Sequence, residues 1–123
     1  PSLRKPMSSL LLLLLHGALG SLGLALMKLH LVPARSSLLG GALLDSSVML
    51  AAAGIGLYVA SFLLWLTIVT KLPLTYAYPM SVGVTLLATS LLSVLFLAES
   101  LSLFRIIGML TILLGVVIVN LAS

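Results

Sequence analysis

Four apolar runs, each long enough to cross a bilayer, dominate this 123-residue sequence. A membrane helix needs roughly 20 mostly apolar residues to cross the hydrocarbon core. The stretches at about 7–29, 47–70, 76–98 and 104–121 meet that requirement. They are continuous rather than alternating, which excludes a transmembrane β-barrel. Hydrophobic residues make up 62% of the chain and charged residues 7%. A soluble domain carries about 45–50% apolar and about 25% charged residues. That balance argues against a soluble enzyme, a nucleic-acid binder and a disordered tail. The expected fold is an all-α membrane protein, with residues 1–123 forming one domain of four transmembrane helices.

The breaks between the runs are short and polar. The first holds Pro33, Arg35, Ser36 and Ser37, the second is Lys71-Leu72-Pro73, and the third is Glu99-Ser100-Leu101-Ser102. Only the first connection is long, about 17 residues, and Ser36 to Leu44 is expected to form a short interfacial helix. The tight turns elsewhere predict that consecutive helices pack as antiparallel hairpins. Arg4-Lys5 followed by Leu10 to Leu15 has the outline of a signal peptide. The apolar stretch continues to Leu26-Met27-Lys28, beyond the length of a usual signal h-region, so a retained span is expected.

The net charge of +4 comes from six scattered Lys and Arg against Asp45 and Glu99. Charges flanking membrane spans explain it, so no nucleic-acid partner is expected. With four spans, Arg4, Lys5 and Lys71 fall on one side of the membrane and Lys28, Arg35 and Arg105 on the other. Three against three gives the positive-inside rule no preference. Either the orientation is set by factors outside the sequence, or the chain inserts both ways as an antiparallel dimer or is fixed by a partner subunit. There is no cysteine, and His16 and His30 have no carboxylate near them in sequence, so no metal site and no cofactor are expected. No nucleotide-binding loop is present, and no enzymatic activity is expected.

The polar residues inside the spans are the candidates for function. His16 lies deep in the first span, where an ionisable side chain is a functional hypothesis by default. An unperturbed imidazole titrates near pH ~6.5, so it suits a proton relay as well as plain interhelical hydrogen bonding. Gly17, Gly20 and Gly23 recur every three residues with Ser21 alongside, a pattern for close helix packing or for lining a cavity. Tyr58, Ser61 and Trp65 share a face of the second span, with Phe62 beside them. Tyr76, Tyr78 and Ser81 open the third, and Thr85, Thr89, Ser90 and Ser93 continue a polar thread along it. Pro79 either kinks this helix as a hinge or sits harmlessly in its first turn. Gly108 and Gly115, with Thr111 between, share a face of the fourth span and are candidates for a dimer contact. Of the two carboxylates, Asp45 stands before the second span as a helix N-cap candidate. Glu99 is expected to face water or to pair with Arg105.

From Tyr58 onward, several groups of residues carry a resemblance. They are Tyr58-Val59-Ala60-Ser61-Phe62, Leu72-Pro73, Tyr76-Ala77-Tyr78, Ile107-Gly108-Met109 and Gly115-Val116-Val117-Ile118-Val119-Asn120-Leu121, joined by Leu26-Met27-Lys28 in the first span. With these the chain resembles the small multidrug resistance family, four-helix members of the drug/metabolite transporter superfamily. The resemblance implies a dimer whose fourth helices meet, and a functional tyrosine matched by Tyr78. The glutamate that binds proton and substrate in the family's drug exporters falls on Gly20 here, and the tryptophan expected after the Tyr-Ala pair is replaced by Pro79, Met80 and Ser81. Tyr76 to Met80 and the long first loop look more like the relatives that form aminoarabinose–undecaprenyl-phosphate flippase subunits.

Three functional expectations follow. The first is a transporter or flippase in a bacterial cytoplasmic membrane, moving an amphipathic or lipid-linked substrate such as a polyprenyl-phosphate sugar by alternating access. Its substrate-binding residues would be His16, Gly20, Tyr58, Ser61, Trp65, Tyr76, Tyr78 and Ser81. The second is a proton-coupled exporter of cationic drugs or guanidinium compounds with His16 in place of the glutamate. The third is a non-transporting subunit of a heterodimer with a similar four-helix chain.

Overall fold

The computed structural model describes residues 7–122, with side chains from Ser9 to Leu121. Arg4 and Lys5, on which part of the charge count rests, lie outside the described residues. Four helices make up the fold, α1 (Met7–Leu39), α2 (Ser46–Lys71), α3 (Leu74–Phe96) and α4 (Leu103–Ala122), with no strand among the described residues. Each is long and apolar enough to cross a membrane. Rows of exposed Leu, Val, Ile and Phe cover the outside. That surface is stable against lipid and not against water, and the chain is an integral membrane protein.

The first helix departs from the expected break. α1 runs unbroken for 33 residues, through Pro33 and past the Ser36–Ser37 pair. At 1.5 Å per residue it is roughly 50 Å long, against a hydrocarbon core of about 30 Å. Proline fixes a helix-compatible φ and removes only the N–H that would bond to Leu29. Pro33 is exposed and lies beyond the ~20 residues that a span needs, where water can take over that carbonyl. No separate helix forms over Ser36 to Leu44, and the connection shrinks to residues 40–45. It turns at Gly41, whose φ of 82° is the left-handed conformation that glycine adopts without strain.

Asp45 starts α2 as its N-cap and accepts the Ser47 backbone N–H at 3.1 Å. The hydroxyls of Ser47 and Ser37 donate to the same carboxylate, Ser37 at 3.0 Å, tying the end of α1 to the start of α2. Together these donors, the Ser47 hydroxyl foremost, hold the Asp45 carboxyl below its ordinary range.

The packing is not a chain of equal hairpins. α1 lies against α2 along most of its length and against α3 as well, while α4 touches α3 alone. α2 and α3 barely touch, although only Leu72-Pro73 joins them. The reason is glycine placement on α1. A Cβ on Gly23 would stand 2.6 Å from the Gly54 carbonyl oxygen and 2.9 Å from the Tyr58 nitrogen, and a Cβ on Gly17 would collide with Val84. Both glycines therefore serve close helix packing, one on α2 and one on α3, and α1 wedges those helices apart. At the turn end of the wedge, Leu13, Ile68, Tyr76 and Ala77 form the buried apolar cluster, with Leu12, Trp65, Leu72 and Met80 packed on it.

α4 is held by Val116 against Gly83 and by the Ser90 hydroxyl reaching the Met109 sulfur at 3.1 Å. The α3–α4 loop brings Glu99 to Lys28, Nζ to Oε2 3.8 Å, and not to Arg105 as expected from sequence proximity. α3 runs back along α1, so its far end arrives beside Lys28.

Candidate functional site

The gap between α2 and α3 opposite α1 is a cavity of about 550 Å³. Each helix supplies one face to it. α1 gives His16, Gly20 and Leu24, four residues apart; α2 gives Tyr58, Ser61, Phe62 and Trp65; and α3 gives Tyr78, Ser81, Val82, Thr85, Leu86 and Thr89. These are i, i+3, i+4 and i+7 spacings, the intervals at which side chains of a helix line up. Tyr58, Phe62 and Tyr78 remain largely exposed and form the open side of the cavity.

His16 is the hub. Its Nδ1 lies 3.0 Å from the Ser61 carbonyl and 2.9 Å from the Ser61 hydroxyl, and its Nε2 lies 2.8 Å from the Ser81 hydroxyl. The Ser61 hydroxyl in turn donates to the His16 carbonyl at 2.8 Å. A carbonyl only accepts, so Nδ1 carries the proton and donates, and in the neutral ring Nε2 accepts from Ser81. All three helices thus meet at one imidazole. Trp65 stacks on the ring at a centroid distance of 5.4 Å, and Tyr78 packs edge-on to Trp65 at 6.1 Å. The result is an aromatic wall with hydroxyl groups beside it, a surface suited to a sugar or a polar head group.

Among the expected site residues, the cavity gathers His16, Gly20, Tyr58, Ser61, Trp65, Tyr78 and Ser81. Tyr76 is the exception: it is 9% exposed and belongs to the apolar cluster at the α2–α3 turn. Two residues along a helix is a rotation of roughly 200°, so Tyr76 and Tyr78 face opposite ways. Leu24, Phe62, Val82, Thr85, Leu86 and Thr89 complete the lining. They lie on the stripes of the chosen residues, and their helical spacing would have found them.

Gly20 is enclosed by its neighbour across the cavity, since a Cβ there would lie 2.9 Å from the Ser61 hydroxyl. Neither Asp45 nor Glu99 lines the cavity, and His16 is the only one of its residues of the His, Asp, Glu, Lys or Arg type. Pro79 is the sixth residue of α3, past the first turn, and cannot donate the N–H that would close on Thr75. Gly108 and Gly115 have nothing within 4 Å of where a Cβ would stand, so they do not serve packing within the chain. Comparison with known proteins gives no match, whether with family models, curated proteins or solved structures.

Proposed function

We propose that this chain is a small transporter or flippase of the drug/metabolite transporter kind, moving an amphipathic or lipid-linked substrate across a bacterial cytoplasmic membrane by alternating access. One observation carries this reading: a cavity within the helix bundle that is open on one side, lined by aromatic and hydroxyl groups and free of carboxylates. Exchange of a cation for protons needs a group that titrates and competes for the cation, and desolvated carboxylates do that. A neutral chamber favours a substrate whose polar part is sugar-like and whose apolar part stays in lipid, such as a polyprenyl-phosphate sugar. Alternating access fits a dimer, either of two copies or with a similar four-helix subunit, because α4 touches only α3 and leaves its remaining surface free.

A second reading, proton-coupled export of cationic compounds, draws support from His16 itself. Protonation would add a second N–H and reverse only the bond to the Ser81 hydroxyl, which can donate or accept.

The deciding experiment reconstitutes the chain alone in vesicles. It measures proton currents evoked by quaternary ammonium and guanidinium compounds, beside the transbilayer movement of a polyprenyl-phosphate sugar. The flippase reading expects lipid movement without current. A pH-dependent current that is absent in His16→Ala would replace it with proton-coupled export.

A further inference from the structure

A second cavity, of about 430 Å³, opens between α1, α3 and the loop after α3. Its walls include Leu24, Met27, Leu31, Leu92 and Leu97, and Lys28 and Glu99 stand with them. Leu24 and Thr89 line both cavities, so the two adjoin along α1.

The two charges are the notable part. Lys28 and Glu99 form the one ion pair among the described residues, at 3.8 Å, with side chains 67% and 39% exposed. At that separation and exposure the pair is weak, and both groups retain capacity for another partner. Lys28 also lies about 20 residues into the apolar part of α1, which starts at Ser9. That is the depth at which a span ends and lipid head groups begin.

We propose that this second cavity is a binding site for a bilayer phospholipid whose head group carries both a phosphate and a primary amine, with one acyl chain lying along α1 toward Leu24. The phosphate pairs with the Lys28 ammonium and the amine with the Glu99 carboxylate. The charge pattern selects among lipids. A head group with a phosphate alone meets Glu99 as a like charge, and a choline head group has no N–H to give the carboxylate. Leu24, Met27 and Leu92, on the membrane side of the two charges, give the chain its surface. This site is separate from the His16 network, and its test requires no transport.

Native mass spectrometry of the purified full chain reads lipid retention directly. The protein is offered an equimolar mixture of phosphatidylethanolamine, phosphatidylglycerol and phosphatidylcholine with identical acyl chains. Phosphatidylethanolamine is expected to be retained several-fold over the other two. Glu99→Gln should bring it level with phosphatidylcholine, and Lys28→Met should lower retention of all three. Lys28→Glu with Glu99→Lys should restore the preference, since both partners are then present with their places exchanged. Circular dichroism confirms that each variant keeps its helices. Equal retention of the three lipids by the unaltered chain, or a preference for phosphatidylglycerol, would overturn the proposal. So would an ethanolamine preference that survives loss of both charges in Lys28→Met with Glu99→Gln.

Discussion

His16 and Ser61 hold each other in both directions: the imidazole Nδ1–H reaches the Ser61 carbonyl at 3.0 Å, and the Ser61 hydroxyl donates to the His16 carbonyl at 2.8 Å. This pairing pins α1 to α2 at the floor of the cavity and presents Nε2 to Ser81 on α3. Interhelical hydrogen bonds in membranes contribute about 0.6 kcal/mol on average and up to ~1.7 kcal/mol. Ser61→Ala should therefore lower stability by roughly 1 kcal/mol. The check is unfolding in detergent followed by the fluorescence of Trp65, the single tryptophan, which stacks on His16. An unchanged midpoint would mean that the Ser61 hydroxyl bond adds no stability.

The crossing of α1 and α2 predicts opposite outcomes at two glycines. A Cβ on Gly23 meets backbone atoms of Gly54 and Tyr58, which cannot swing aside. Gly23→Ala should cost about 1–3 kcal/mol, the range for overpacking a fitted interface. Gly56, on the same α2, has nothing within 4 Å of a Cβ, and there alanine should stabilise by roughly 0.5–1 kcal/mol through helix propensity. Thermal unfolding of the two variants side by side decides both.

These cases also mark what the sequence makes legible. Four spans follow from hydropathy and length, and the cavity stripes follow from the 3.6-residue period once one residue on each helix is chosen. Tyr76, expected in the same chamber as Tyr78, lies outside the cavity lining because that period turns the two residues to opposite faces. The length of α1 was hidden because Pro33 and its polar neighbours read as a loop, although a proline costs a helix one hydrogen bond and does not forbid its continuation. Lys28 and Glu99 are 71 positions apart, and only the course of α3 along α1 brings them together. Which face of α1 contacts α2 and which contacts α3 is a tertiary choice that glycine spacing alone leaves open.

The Asp45 cap predicts a pH dependence at one place in the chain. Its carboxyl is held below the ordinary value of 3.8 by the Ser47 and Ser37 donors. A depressed folded-state value means that the cap stabilises the start of α2 above the unfolded carboxyl range, and that this is lost as pH falls through the lowered value. Amide exchange at Ser47 and Met49, corrected for its intrinsic pH dependence, should therefore quicken only below about pH 4. Asp45→Asn keeps a capping oxygen without the titration. Its corrected exchange should be flat over the same range.

Pro79 weakens α3 in its second turn, between Tyr78 and Ser81 of the cavity wall. If the helix bends there during alternating access, Pro79→Ala restores the bond to Thr75 and stiffens the moving part. In the reconstituted assay, turnover should change more than apparent substrate affinity. A change in affinity with turnover intact would assign Pro79 to the shape of the cavity and not to motion.

The last prediction concerns the free face of α4. No residue of its membrane window is buried, and Gly108 and Gly115, two turns apart on one side, are open to whatever lies alongside. Lipid places no demand for small residues on a helix, whereas a second helix does, because glycine lets two backbones approach. Gly108→Leu with Gly115→Leu should leave helical content and the His16 network intact and convert most cross-linked dimer in detergent to monomer. The internal control is Gly83→Leu, which strikes Val116 inside the chain and should lower stability as well as any assembly. A dimer band that persists in the α4 double variant would move the contact to another helix.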